Sequence, residues 1–431
     1  MFLGISCIVK TGGIFNMAKD KSLALKLLID KQSNHLITYE FISSKTGYSK
    51  RQLIRLSSLL NEKDLSSLLQ HGNVGKEPVN KASDLEIDFF INMKNKYPKI
   101  TISQFRDIFI EDVLLNPEMA AIVESCNLQN RSKTWFRNLF KSQNWKSPES
   151  RKPLRRDGRA AHPLRAPSPQ KGQMIQIDGT PYDWFGNGEM WTLHLAVDDA
   201  TSEVLAGYFM PTERQIGYCY TMKLILEKYG IPMSLYSDKH SIFKSVKEDS
   251  ITQFGMMMEE LGIELIYANS AQAKGRVERY NGTVQRRLPN DIVRFGIKDY
   301  DQLNEWFNTF YISYINKKFA FVPLDPNDAF VPIGNTDLSQ IFTIKQDRTI
   351  KEDMFSLNNG YYCLIDEKEK RVHIINGTII TVCMDVFTGV LTVRRYGKVY
   401  NTLLVSSRKR SPANIANNQK ELQEFLNSMK K

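Results

Sequence analysis

The sequence predicts a multidomain α+β protein: helical modules first, a mixed α/β core next, and a small β-barrel near the C-terminus. Three observations carry this. Up to about residue 146, apolar residues recur at helical spacing. Between 172 and 335, short apolar runs alternate with helical stretches, the pattern of a sheet with helices on its faces. From 340 to 405 the runs are short and strand-like, with Asn376-Gly377 as a hairpin turn. A chain of 431 residues is also long for one domain.

Residues 1–20 read as a leader without a regular pattern, and Met17 is an alternative start. Residues 21–70 predict three short helices. Gly47 makes the turn before the third, and Ser49 is its N-cap. This is the layout of a helix-turn-helix domain. Its third helix carries Lys50, Arg51 and Arg55, with Leu53, Ile54, Leu56 and Leu60 expected inward. A linker, 71–81, leads to a second helical DNA-binding domain, 82–146. The last helix of this domain presents Lys133 and Arg137 and keeps Trp135, Phe136 and Leu139 for its core. Residues 147–171 alternate prolines with basic residues, Arg155 and Arg156 among them, and predict an extended linker. A solvated basic face is the plain alternative for each of these groups.

The core, 172–335, predicts strands at Met174–Asp178, Trp191–Asp198, Val204–Pro211, Ser234–Asp238 and Ile263–Tyr267. Helices are predicted at Ile216–Tyr229, Thr252–Leu261 and Gly275–Leu288. In the barrel, 340–405, the expected strands are Val372–Ile375, Ile379–Met384, Val390–Tyr396 and Val399–Val405. The tail, 406–431, ends in a short amphipathic helix.

The net charge of +11 favours a polyanionic partner, since lysines and arginines on phosphates release counterions. The five cysteines form no CxxC pair, so neither a zinc ribbon nor a disulfide framework is expected, and a reducing interior fits. No apolar run approaches the roughly 20 residues of a membrane span. There is no GxxxxGK[ST] loop, so no ATPase is expected.

Three carboxylates stand in unusual places. Asp178 is expected at the end of the first core strand, in IQIDGT, and Asp238 at the end of the fourth, in SDKHSIF. Glu278 opens the last helix, in GRVERYNGTVQ. A carboxylate ending an apolar strand is costly unless solvated, paired or metal-bound. Val277, Asn281, Val284 and Leu288 form the buried stripe of that helix, and Gly282 leaves room for a DNA backbone. Lys274, Arg276 and Arg279 surround Glu278 with positive charge. Asp183, Asp198 and Asp199 compete for the role, but Asp-Asp-Ala-Thr before a returning strand reads as turn chemistry. His194 reads as a packed core histidine and His240 as structural. Trp184 and Phe185 read as hairpin contacts or base-stacking groups, and Trp306, Phe307, Phe310 and Tyr311 as core.

On IQIDGT, SDKHSIF and GRVERYNGTVQ, the segment Met174–Leu288 resembles the catalytic core of the retroviral-integrase superfamily. The whole chain resembles a bacterial insertion-sequence DDE transposase of the ISNCY kind. The acidic residues lie 60 and 40 positions apart. The resemblance implies a ribonuclease-H-like fold. It implies catalysis by Asp178, Asp238 and Glu278, which would ligate two ions of Mg²⁺ or Mn²⁺. The implied partners are double-stranded DNA, at element ends and target, and further copies of the chain. No membrane is involved, and the expected place is the bacterial cytoplasm, at the nucleoid. Two rival readings are a helix-turn-helix regulator without enzymatic activity and a ribonuclease-H-like nuclease that does not join DNA.

Overall fold

The computed structural model describes residues 20–62, 65–69, 81–148, 166–245, 250–268 and 275–407. The expectations for the leader, the linker 71–81, Arg155, Arg156, Lys274 and most of the tail lie outside the described residues. The chain divides into two compact units, Met1–Asp84 and Leu85–Lys431.

In the first unit the helices are α1 (Lys21–Ser33), α2 (Tyr39–Thr46), α3 (Lys50–Glu62) and α4 (Leu65–Leu69). Asp20 caps α1 by accepting the Leu23 N–H, and Thr38 caps α2 by accepting that of Phe41. Gly47 ends α2 in the left-handed region, φ 70°, which a side chain would resist. Ser49 and Gln52 then exchange reciprocal bonds at the start of α3, a capping box. Ala24, Leu28, Ile42 and Leu53 make the core, with Leu56 and Leu60 packed on it. Ile54, expected inward, is exposed. Residues 53, 56 and 60 fall on one helical face, and 54 sits about 100° away, beside Arg51 and Arg55.

The second unit begins with α5 (Asp84–Lys96), α6 (Ile102–Phe109), a π-helical turn (Ile110–Leu114), α7 (Ala120–Ser125) and α8 (Lys133–Ser142). Their core is aromatic: Phe90, Phe105, Phe109, Phe136 and Phe140 are all buried. A buried pair, Arg131 with Glu86, is bidentate at 2.9 and 2.7 Å. Removing either partner would strand a charge there.

The central sheet has five strands in the order β4-β3-β2-β5-β6. They are β2 (Ile175–Tyr182), β3 (Trp191–Asp198), β4 (Val204–Met210), β5 (Ser234–Ser237) and β6 (Glu264–Tyr267). A short strand β1 (Gln170–Lys171) pairs with β7 (Asp325–Asp328). The meander β2-β3-β4 is antiparallel, while β5 and β6 add in parallel. One face carries α9 (Gln215–Lys228) and α10 (Gln253–Glu260) over Ile175, Ile177, Leu205 and Leu235. The other face carries α11 (Gly275–Phe295), α12 (Tyr300–Trp306) and α13 (Ile312–Phe319) over Leu193, Leu195, Val197 and Phe209. The sheet edge at β4 is closed by side chains. Asn304, Asn308 and Asn316 each accept one β4 N–H and donate to the same residue's carbonyl, at Phe209, Gly207 and Val204. An edge so satisfied offers no ladder to another chain. Phe307 and Tyr311 are buried as expected, but Phe310 is 43% exposed and stacks along the surface with Trp306 and Tyr314.

After α14 (Leu338–Ile341) come six antiparallel strands: β8 (Thr343–Thr349), β9 (Met354–Leu357), β10 (Gly360–Ile365), β11 (Ile379–Asp385), β12 (Leu391–Arg395) and β13 (Lys398–Ser407). Their order is β8-β11-β12-β13-β10-β9, and the end strands β8 and β9 follow one another in the chain, with an antiparallel bridge between Lys351 and Met354 at their junction. The expected hairpin arm Val372–Ile375 is not a strand, and β8, β9 and β10 went unforeseen. Gly377 takes φ 82°, but Asn376 is not in the positive region, so the turn lacks the two left-handed residues of a tight hairpin. The Asn376 side chain instead accepts the Glu352 N–H at 2.6 Å, and Ile374 N–H goes to Asp353.

Both neighbours dock on the core. Gln104 bonds the Arg287 carbonyl and Asn290 on α11, Arg287 pairs with Asp107, and Arg294 pairs with Glu111 and Asp112. The wide π-turn brings Glu111 and Asp112 to the same guanidinium. On the other side, Gln253 of α10 pairs with the Lys345 backbone in both directions, and Glu260 meets Lys345 and Arg394. The second helical module is therefore part of the core's scaffold.

Candidate active site

The site is built on the register between α11 and β2. Val277 N–H donates to Gln176 Oε1 (3.1 Å), Asn281 Nδ2 to Asp178 Oδ2 (2.9 Å) and Gln285 Nε2 to Thr180 Oγ1 (2.7 Å). Four helical residues advance about 6 Å and two strand residues about 6.6 Å, so the helix and strand stay in step. Alternation along β2 makes this possible. Ile175 and Ile177 face α9, and Gln176, Asp178 and Thr180 face α11.

Asp178 was expected to end its strand. In the structure β2 continues to Tyr182, paired with β3 throughout. What ends near Asp178 is the parallel partner, since β5 pairs only through Gln176↔Tyr236. Counting on two residues brings Asp178 level with Asp238, just past the end of β5. Both aspartates are half-buried, at the carboxyl end of the parallel pair, where open α/β sheets place their chemistry. Asp238 Oδ1 accepts the His240 N–H at 2.9 Å, a turn bond, and the exposed His240 ring accepts the Ile242 N–H through Nδ1 at 3.4 Å.

Glu278 lies in the first turn of α11 and is exposed. Asn281 follows it by three residues, on a neighbouring part of the same face, so the helix brings Glu278 within one turn of the Asp178 carboxylate. The buried stripe Val277, Asn281, Val284 and Leu288 is as expected. A Cβ on Gly282 would meet only the flexible Arg286 guanidinium within 3.4 Å, so the surface there is open. Among the described residues, no group of three or more His, Cys, Asp or Glu side chains is arranged to hold a metal ion. The expected triad is thus not gathered: Asp178 is held by Asn281 and Glu278 points to solvent. Three carboxylates without a cation between them repel.

The competing aspartates have other work. Asp183 accepts the Asn187 and Gly188 N–H groups in the hairpin loop. Asp198 is fully buried and accepts from Gly172 N–H, Thr201 N–H and Thr201 Oγ1, each at 2.8 Å. Burial raises its pKa against those bonds. Asp199 is also buried, and Arg276 is ion-paired to it at 3.0 Å, which turns that arginine inward. Sequence reasoning missed this partnership because the two residues lie 77 positions apart. His194 is a packed core histidine. Its Nδ1 bonds the Tyr208 carbonyl and its Nε2 accepts the Arg214 N–H, so the ring is neutral and burial lowers its pKa to about 4. Trp184 is buried, with Nε1 on the Trp191 carbonyl, and serves the hairpin rather than a base. Arg51, Arg55, Arg137 and Arg279 are exposed, as are Lys50, paired with Glu40, and Lys133, bonded to Ser103.

No helix among the described residues is long and apolar enough to cross a membrane. No protein-family model matches the chain. Two curated relatives do. The inferred transposase y4bF of Sinorhizobium fredii is 38% identical over 186 residues, 42% of this chain and 40% of that protein. The transposase for insertion sequence IS1202 of Streptococcus pneumoniae is 39% identical over 174 residues, 38% of this chain and 36% of that one. The chain spans about two fifths of the length of the curated relatives it matches. Among solved structures, the catalytic core domain of HTLV-2 integrase in complex with magnesium (trimeric form) aligns at TM-score 0.26 and 18% identity, covering 32% of this chain and 85% of that one. The intasome of simian T-cell lymphotropic virus in complex with a PP2A regulatory subunit, B56 gamma, aligns at TM-score 0.30 and 13% identity, covering 66% and 95%. Likeness at those TM-scores is too slight to carry a property across. Over the stretches that match its relatives, the chain is similar to insertion-sequence transposases.

Proposed function

We propose that this chain binds the ends of a mobile DNA element, nicks them to leave a 3′ hydroxyl, and joins that hydroxyl to a target phosphodiester. The observation that carries the reading is the register of α11 on β2. It sets Asn281 on Asp178, holds Glu278 one turn away, and stands beside an Asp238 level with Asp178. The similarity to named transposases supports the reaction class.

The donor set fits a hard divalent cation. All three side chains offer carboxylate oxygens, and beside them the buried Asn281 Oδ1 has no hydrogen-bond partner among the described residues. Asp178, Asp238 and Glu278 would hold two ions of Mg²⁺ or Mn²⁺, which when bound activate the attacking oxygen and stabilise the leaving one. The protein's own part is placement. Asp178 is fixed by its strand and Asp238 by its turn, while α11 carries Glu278 toward them. Lys274 and Arg279 neutralise phosphate charge, and Arg276 shares that task through whatever its ion pair leaves free. Away from the site, Lys50, Arg51 and Arg55 on α3, Lys133 and Arg137 on α8, and Arg155 and Arg156 in the linker hold double-stranded DNA by its backbone. Transesterification conserves the phosphodiester, so no nucleotide is consumed.

Two element ends must reach one target, so the working form is a DNA-bound dimer or larger oligomer, acting on chromosomal DNA in the cytoplasm. The test is Mn²⁺-supported nicking and joining of a plasmid that carries the DNA flanking the gene. Nicked and joined products from the native chain, and neither from Glu278→Gln, are expected. Nicks without joints would leave a nuclease, and retained DNA binding with no nicks from the native chain would leave a regulator.

A further inference from the structure

The start of α11 is held by a carboxylate outside the proposed triad. Asp199 is wholly buried and accepts from four donors: Ser168 N–H at 2.7 Å, Ser168 Oγ at 2.9 Å, Gln176 Nε2 at 2.7 Å and Arg276 Nη1 at 3.0 Å. Gln176, also buried, uses its other end to accept the Val277 N–H. That N–H belongs to the first turn of α11, whose amides have no intrahelical acceptor. Its acceptor here is a side chain of β2, and the acceptor is itself aimed by Asp199. Val277 and Arg276 immediately precede Glu278. One buried carboxylate thus joins the chain at Ser168, strand β2 and the turn that carries Glu278.

We infer that Asp199 is a positioning residue for Glu278. With Gln176 and Arg276 it sets the first turn of α11, and through Ser168 it ties that setting to the segment entering the core. The inference rests on the proposed catalytic role of Glu278. A carboxylate is needed at this position because its donors approach both oxygens. An amide of the same shape would present N–H to N–H on one side. Loss of the network lets the first turn fray, and a shift of about 1 Å in a catalytic group costs on the order of a hundredfold in rate.

The experiment uses the full chain with Asp199→Asn, Arg276→Gln, Arg276→Lys and Ser168→Ala. Two quantities are measured: amide exchange in the first turn of α11, and kcat and KM for Mn²⁺-supported nicking of the plasmid with the flanking DNA. Arg276→Gln and Asp199→Asn are expected to speed exchange by about tenfold or more. They should lower kcat by at least about tenfold, with KM within about twofold in Asp199→Asn and raised in addition in Arg276→Gln, which also loses a proposed phosphate contact. Arg276→Lys should recover part of both, and Ser168→Ala should show the same direction more weakly. If Asp199→Asn does not fold, Arg276→Gln and Ser168→Ala carry the test. Unchanged exchange overturns the inference, and so does native kcat in the variants that fold, whatever their KM, which would leave Arg276 a phosphate contact alone. Full activity in Glu278→Gln would instead remove the catalytic reading, while the exchange result would still report on the network.

Discussion

Two pairs of aspartates sit on the same sheet and lead opposite lives. Asp198 and Asp199, at the β3–β4 turn, are fully buried and surrounded by donors from Gly172, Thr201, Ser168, Gln176 and Arg276. Asp178 and Asp238, level with each other where β5 ends, are half-buried, with an amide on one and a neighbouring backbone N–H on the other. A carboxylate has about four acceptor sites. Where the fold fills them, the group is structural. Where it leaves solvent access, the proposed function has the group meet a cation and a phosphate. The difference lies in what the surrounding chain supplies, because all four are strand-end aspartates in the sequence.

The sharpest way to break the comparison is to neutralise each pair. Asp178→Asn, Asp238→Asn and Glu278→Gln should each lower nicking and joining by about a thousandfold or more with DNA affinity unchanged, and excess chelator should do the same to the native chain. Zinc should not be required. Native-like activity in any of these variants, or in chelator, would return that residue to the structural class. Asp198→Asn should behave oppositely. It should cost roughly 1–3 kcal/mol in urea unfolding, because one of the buried donors loses its acceptor. Activity per folded molecule should hold.

Asp291 offers a third case. It is fully buried, accepts from the Tyr311 hydroxyl at 3.0 Å, and has no hydrogen-bond partner for Oδ1 among the described residues. Burial outweighs the nearby Arg287 and raises its pKa to about 6 from 3.8. For an acid with a raised folded pKa, the native state holds the proton more tightly. Its stabilisation is therefore complete below about pH 4 and is lost as pH rises to about 6, by up to about 3 kcal/mol. Asp291→Asn should remove that slope in unfolding measured from pH 4 to 7. An identical slope in the variant would show that Asp291 is satisfied by groups not identified above.

The smallest effect concerns α3. Arg51→Ala and Arg55→Ala should each weaken binding to the flanking DNA only several-fold and lower its salt dependence by about one counterion. Binding isotherms at several salt concentrations measure both. An unchanged slope would make this a solvated face, and specificity would have to lie elsewhere.

Much of this molecule was legible before folding. The period of two in β2 and of 3.6 in α11 placed Asp178 on a strand and Glu278 on a helix beside Val277, Asn281 and Val284, because those periods come from local backbone geometry. The N-cap of α3 at Ser49 was legible for the same reason, being made within three residues. Pairing at a distance was not. Nothing local reveals that β2 outruns β5 at Asp178, that Asp199 holds Arg276, or that Asn376 spends its side chain on Glu352 instead of making a tight turn. Strands β8, β9 and β10 were hidden as well, since β11, the strand after the turn, pairs with β8 and β12 and not with its nearest upstream neighbour. The sequence by itself determined which carboxylates stand on which elements. Tertiary structure decided which of them are buried among donors, because donors come from wherever the chain folds back, and that burial separates the structural Asp198 and Asp199 from the solvent-reaching Asp178 and Asp238 of the proposed site.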